Sequence, residues 1–138
     1  MKHLEVDLYF DGASKGNPGE SAVGVRILNT NQQTVVVEKS IYLGHTTNNA
    51  AEYAGLIHGL QLAQEYGASR VNIYTDSMLV VNHLKGIYKV RNSRLEPLYN
   101  RAIDLLKLFG DGYEISHIER SKNARADELA NEAVKRGY

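Results

Sequence analysis

A chain of 138 residues suits one domain, 1–138, around a single core, and its 43% hydrophobic content fits a soluble globular protein. Lys plus Arg total 16 and Asp plus Glu total 16, so the chain is no strongly basic nucleic-acid binder, and any such affinity must come from a local patch. There is no cysteine, which excludes disulfides and thiolate zinc sites but leaves hard cations open.

The opening stretch Met1-Lys2-His3-Leu4-Glu5 mixes charged and apolar residues, unlike a signal peptide. No apolar run approaches a membrane span, so the expected location is the cytoplasm, with no membrane partner. Leu4, Val6, Leu8 and Phe10 alternate with Glu5, Asp7, Tyr9 and Asp11, the pattern of a half-buried strand ending at Asp11. Gly12 to Gly19 reads as a turn region, strongest at Gly16-Asn17-Pro18-Gly19. Val23, Val25 and Ile27 mark a second strand, in which Gly24 implies close backbone approach or a bulge. Asn29 to Gln33 is a polar turn, and the β-branched run Thr34 to Leu43 a third strand. The short connections give an antiparallel meander.

The period then becomes helical at Tyr53, Leu56, Ile57 and Leu60. Asn49 and Glu52 are spaced as a capping box at the start of this helix. Gly55, Gly59 and Ala63 form a small-residue stripe for a close neighbour, and Gly67 is the stop. Val71, Ile73 and Thr75 give a fourth strand ending at Asp76, followed by a helix from Ser77 to Leu84. Ser93 and Glu96 suggest a helix start, running to Phe109, with Pro97 tolerated in its first turn. Tyr113 to Glu119 is a fifth strand, and Asn123 caps a final helix ending near Arg136-Gly137. The order β-β-β-α-β-α-α-β-α specifies an α/β fold: a five-stranded mixed sheet, three antiparallel strands plus two parallel, flanked by helices.

Four carboxylates stand at the ends of these elements: Asp11 and Asp76 close strands one and four, Glu52 opens the first long helix, and Asp127 lies in the first turn of the last. If strands one and four are parallel neighbours, Asp11 and Asp76 sit side by side at the carboxyl edge of the sheet, where ligand sites of open α/β sheets gather. Four converging acids repel one another unless cations fill the gap. Hard oxygen donors suit divalent metals, and metals held that way suit phosphate chemistry.

The motifs carrying these acids are Asp11-Gly12-Ala13-Ser14 with Gly16-Asn17-Pro18-Gly19, Thr46-Thr47-Asn48-Asn49 ahead of Glu52, Thr75-Asp76-Ser77, and Asn123 through Asp127-Glu128-Leu129-Ala130. In this order and over nearly the whole chain they resemble ribonuclease H of type 1, including the ribonuclease H domains of reverse transcriptases. One such motif alone is weak; four in order are specific. The resemblance implies a ribonuclease H-like fold and an endonuclease that hydrolyses the RNA strand of RNA–DNA hybrids. Asp11, Glu52, Asp76 and Asp127 would hold two Mg²⁺ ions, with Mn²⁺ as substitute. One ion would activate the attacking water and the other stabilise the leaving 3′-oxygen, leaving a 5′-phosphate and a 3′-hydroxyl. Asn17, Asn48, Asn49 and Glu52, with backbone near Ser14, would read the ribose 2′-hydroxyl in the minor groove, and Thr47 matches the family's pocket for a DNA phosphate.

Two departures from the family pattern stand out. The loop before Asp127 shortens to Arg120-Ser121-Lys122 and has no His, so no catalytic His is assigned; Arg120 or Lys122 is the candidate electrostatic aid. The basic helical handle of many bacterial members shrinks to the segment Lys85 to Arg94, where Lys85, Lys89 and Arg91 are the expected hybrid contacts. The plain readings are a solvated turn residue for any lone Asp, a cap for Glu52, caps and turns for the asparagines, and surface or helix positions for His3, His58 and His83. His45 reads as a loop residue, and the nine dispersed tyrosines as core-edge residues. The expected partners are RNA–DNA hybrid and, as a further class to test, double-stranded RNA, bound by a monomer. The rivals are a non-catalytic hybrid- or double-stranded-RNA-binding module on the same fold and another nuclease of the superfamily.

Overall fold

The computed structural model describes residues 3–138; Met1 and Lys2, part of the stretch read as unlike a signal peptide, lie outside the described residues. Its elements are β1 (Glu5–Lys15), β2 (Gly19–Asn29), β3 (Thr34–Thr46), α1 (Asn48–Tyr66), β4 (Arg70–Thr75), α2 (Met78–Leu84), α3 (Glu96–Leu106), β5 (Tyr113–His117), a 3₁₀ turn (Arg120–Asn123) and α4 (Ala124–Arg136). The strands form one mixed sheet in the order β3-β2-β1-β4-β5. β1 pairs antiparallel with β2 and parallel with β4, and β5 pairs parallel with β4. The five-stranded mixed architecture expected from the pattern is therefore present. Among the described residues no helix is long and apolar enough to cross a membrane.

Alternation along β1 sends Val6, Leu8 and Phe10 into a fully buried core with Val71 and Ile73 of β4 and Tyr53, Leu56 and Leu60 of α1. Burying each such aliphatic or aromatic side chain stabilises the fold by roughly 1.5–3 kcal/mol. The small-residue stripe of α1 lies on this face: a methyl at Gly55 would stand 2.8 Å from the Phe10 ring, and one at Gly59 2.6 Å from Leu8 Cδ1. Helix α4 covers the opposite face. Gly24 pairs with Asp11 and so shares its face, and a Cβ at Gly24 would lie 2.0 Å from the Ala126 carbonyl oxygen of α4. Gly24 thus marks close approach; the register shifts of β2 against β3 fall elsewhere, at Ser21/Ala22 and Ile27/Leu28.

Several expected boundaries move. Asp11 does not end β1: the strand continues to Lys15, because Gly12 to Lys15 pair with Glu20 to Val23 of β2 and only the short stretch from Gly16 turns. What ends near Asp11 is the parallel ladder with β4, whose last pair is Tyr9 with Tyr74. β3 extends to Thr46, so His45 is a strand residue. The cap of α1 is Thr47, whose Oγ1 accepts from the Ala50 amide at 3.2 Å, not a box of Asn49 and Glu52. α3 starts at Glu96, with Pro97 in its first turn, and ends at Leu106. β5 stops at His117, because Arg120 to Asn123 wind into the 3₁₀ turn. His83 is buried in α2, its Nδ1 2.6 Å from the Tyr53 hydroxyl.

Candidate active site

The carboxylates meet where β1 and β4 part. Asp11 rises from the α4 face of β1. Asp76 follows β4, with Ser77 next to it capping α2 by accepting from the Val80 amide at 3.3 Å. Glu52 comes over from α1 on the other face, and its Oε1 accepts a hydrogen bond from the Gly12 amide. That contact requires Gly12: a Cβ there would stand 2.8 Å from Glu52 Oε1 and 2.9 Å from the Ala51 carbonyl carbon. Asp11, Glu52 and Asp76 each present a carboxylate oxygen within 4.8 Å of the others'. Asp127 lines the same cavity of about 410 Å³, together with Ser14, Asn48 and Asn49. Its Oδ1 accepts from Asn131 Nδ2 at 3.1 Å, one helical turn on, and faces Arg120 Nη2 at 3.9 Å.

The electrostatics are those of a site short of positive charge. Burial first, then the charge of Glu52, with Asp127 and Asp76 adding, pushes the Asp11 carboxyl up to about 9. Burial also pushes Glu52 up, to about 7, although the Gly12 amide and the contacts to Asp11 and Ser77 pull the other way. A fold that holds such a group at neutral pH does so with a proton or a cation. The donor set consists of hard carboxylate oxygens, which fit a hard divalent cation. Arg120 is four-fifths exposed, so its pairing with Asp127 is a screened surface contact that does not neutralise the cluster.

The other expected residues divide by place. Asn17 Oδ1 accepts from the Asn48 amide at 3.0 Å, tying the β1–β2 turn to the start of α1. Ser14 Oγ lies 2.6 Å from Ser21 Oγ. Thr47 lines a second, smaller cavity of about 260 Å³ with Asn17, Asn49, Asn92 and Arg94. Lys89 and Arg91 border a larger, mainly apolar cavity of about 570 Å³ with Asn49, Ile87 and Tyr88. Lys85 is exposed and lines none of these three. Asn49 thus stands where all three cavities meet.

A family model described as reverse transcriptase-like matches residues 9–133. The ribonuclease HI of Halobacterium salinarum is 42% identical over 129 residues, covering 94% of this chain and 64% of that protein. The chain belongs to the ribonuclease HI family. Within it, the solved ribonuclease H1 of H. salinarum superposes with a TM-score of 0.91 at 40% identity, covering 95% of this chain and 98% of that one. A compost-derived ribonuclease H1, LC11, solved in complex with an RNA/DNA hybrid, gives 0.90 at 36%, covering 96% and 98%. The chain spans 64% of the curated halobacterial relative and 36% of the mycobacterial relatives it matches at 39% identity.

Sequence reasoning missed four residues that the structure places at or beside these cavities. Asn131 is legible in hindsight, since it lies one helical turn beyond Asp127. Asn92 and Arg94 belong to the Lys85 to Arg94 segment, whose pattern marks only Lys85, Lys89 and Arg91, and the fold brings them beside Thr47. The sequence pattern makes Asn123 a cap, but it makes no capping hydrogen bond. Its side chain turns inward, toward β1 and Asp76.

Proposed function

We propose that this chain is a divalent-metal-dependent endonuclease that hydrolyses the RNA strand of RNA–DNA hybrids and leaves 5′-phosphate and 3′-hydroxyl ends. The observation that carries this reading is the convergence of buried Asp11 with half-buried Glu52 and Asp76, with Asp127 on the same cavity. These four would hold Mg²⁺, or Mn²⁺ in its place. Such cations, when bound, supply Lewis-acid charge at the scissile phosphate and acidify a water. The chain itself supplies alignment and substrate choice. The Gly12 amide fixes one oxygen of Glu52. Ser14, Asn48 and Asn49 line the rim of the same cavity and offer both donors and acceptors, as a ribose 2′-hydroxyl requires. Asn17, Thr47, Asn92 and Arg94 form a cradle of suitable polarity for a phosphate of the DNA strand. Lys89 and Arg91 add local positive charge beside these cavities in a chain that is neutral overall.

The test is a panel of labelled substrates: hybrid, double-stranded RNA, double-stranded DNA and a duplex with one embedded ribonucleotide, each with Mg²⁺, Mn²⁺ or EDTA. The reading expects metal-dependent cutting of the hybrid's RNA strand with 5′-phosphate products. Binding without cutting would favour a non-catalytic module, and preferential cutting of DNA another nuclease. Neutralising Lys85, Lys89 and Arg91 together should weaken hybrid binding and flatten its salt slope by about 2–3. An unchanged slope would remove that segment from the interface.

A further inference from the structure

Asn123 occupies the position that ordinarily caps a helix, directly before α4, yet its side chain makes no capping bond. It is 2% exposed. Its Nδ2 donates to the Phe10 carbonyl at 2.8 Å and to Asp76 Oδ1 at 3.2 Å. Both partners are pure acceptors, so the amide can face them in one orientation only. That orientation leaves Asn123 Oδ1 buried with no partner. A side chain that forgoes a cap and strands its own oxygen loses stability on both counts. The two acceptors it reaches account for the arrangement.

Those acceptors flank the gap in the sheet. The parallel ladder ends at Tyr9 and Tyr74. Phe10, one residue past the last rung, is the residue before Asp11, and Asp76 lies two past Tyr74. The Asn123 amide therefore stands where the next rung would be. It ties the backbone that carries Asp11 to the carboxylate of Asp76, and it does so from the chain that opens α4 and leads to Asp127. Phe10 keeps a partner for its carbonyl one residue past the last rung of the β1–β4 ladder, and Asp76 keeps one oxygen fixed inside a crowd of like charges.

We propose that Asn123 is a positioning residue that sets the relative placement of Asp11 and Asp76 by bridging the parted strands. This rests on the metal-binding reading of the carboxylate cavity. Its effect should fall on metal affinity, because a neutral donor holding the ligands in place contributes before any substrate arrives; partners of this kind are worth roughly 10–100-fold in metal affinity or activity.

The experiment titrates Mn²⁺ into the full chain by calorimetry for wild type, Asn123→Ala and Asn123→Leu, with melting curves in EDTA and hybrid cleavage across Mg²⁺ concentrations. Asn123→Leu keeps the branched shape if Asn123→Ala folds poorly, but removes the donor from both partners without adding charge to the cluster. The expected result is Mn²⁺ binding weakened about tenfold or more in both variants. The half-saturating Mg²⁺ for cleavage should rise in parallel, with KM for hybrid little changed. In an Asp76→Asn background, Asn123→Ala should weaken binding by much less than it does alone. A purely structural Asn123 would lower melting temperature while leaving the Mn²⁺ affinity of the folded fraction as in wild type, and that result overturns the proposal. Wild-type chain that takes up no Mn²⁺ would overturn the metal reading itself, and the role of Asn123 with it.

Discussion

Asp7 and Asp11 lie on the same strand and the same face of the sheet, and each is 6% exposed. Their surroundings differ completely. Asp7 accepts from Thr30 Oγ1 at 2.8 Å, Gln33 Nε2 at 3.1 Å and Asn72 Nδ2 at 3.2 Å. Asp11 is met by the carboxyls of Glu52, Asp127 and Asp76, which together with burial raise its pKa. One end of β1 thus satisfies a buried carboxylate with three neutral donors from the β2–β3 turn and β4, and the other surrounds it with further acids. Burial of an acid does not mark a functional site. The identity of what faces it does, because an acid among donors is a finished structural element and an acid among acids is incomplete until a cation arrives.

The contrast can be broken most forcefully at its two centres. Asp11→Asn should lower metal-dependent hybrid cleavage by about a thousandfold or more, the scale on which members of a catalytic unit act. It should also raise the melting temperature in EDTA, since it removes charge from the crowd. Asp7→Asn should do the reverse: an amide placed among three donors costs roughly 1–3 kcal/mol of stability, while turnover per folded molecule stays as in wild type. Equal losses of turnover from the two variants would erase the distinction. At the Asp11 end, Gly12→Ala forces a methyl against Glu52 and the Ala51 backbone. It should cost about 1–3 kcal/mol by chemical denaturation, and its cleavage rate should fall further than the folded fraction explains. At the Asp7 end, Asn72→Ala removes a donor shared by Asp7 and Glu5. It should cost about 1 kcal/mol and leave cleavage unaffected.

Much of this was legible in the chain. Alternation and helical spacing specified the elements and the mixed sheet, and the four short motifs named the acids before any coordinates. Four things were not legible, each for a physical reason. Asp7 and Asp11 look alike in a strand pattern, because their donors and their fellow acids come from elements far away in sequence. The end of β1 was misplaced because Gly12 to Lys15 look like turn chemistry, yet Gly12 is small to admit Glu52, not to bend the chain. Glu52 had the spacing of a capping partner, but Thr47 caps α1 and leaves Glu52 free to reach Gly12. Asn123 looked like a cap for the same kind of reason: a sequence shows that an amide precedes a helix, not which way it turns.

The central claim is that the acids around Asp11 form a cation site that competes with protons. A carboxyl whose pKa is raised on folding contributes stability fully below its unfolded pKa and loses that contribution as pH rises toward the folded value. For Asp11 the window runs from its ordinary value of 3.8 to about 9. Without metal, stability from this cluster should therefore decline as pH rises through that window, and metal should replace what the departing protons leave. The most direct measurement is the melting-temperature difference between saturating Mg²⁺ and EDTA, taken from pH 5 to pH 9. The account predicts a small difference at the acid end that grows steadily toward the alkaline end and vanishes at all pH values in Asp11→Asn. A difference that is absent, or the same at every pH, would contradict it.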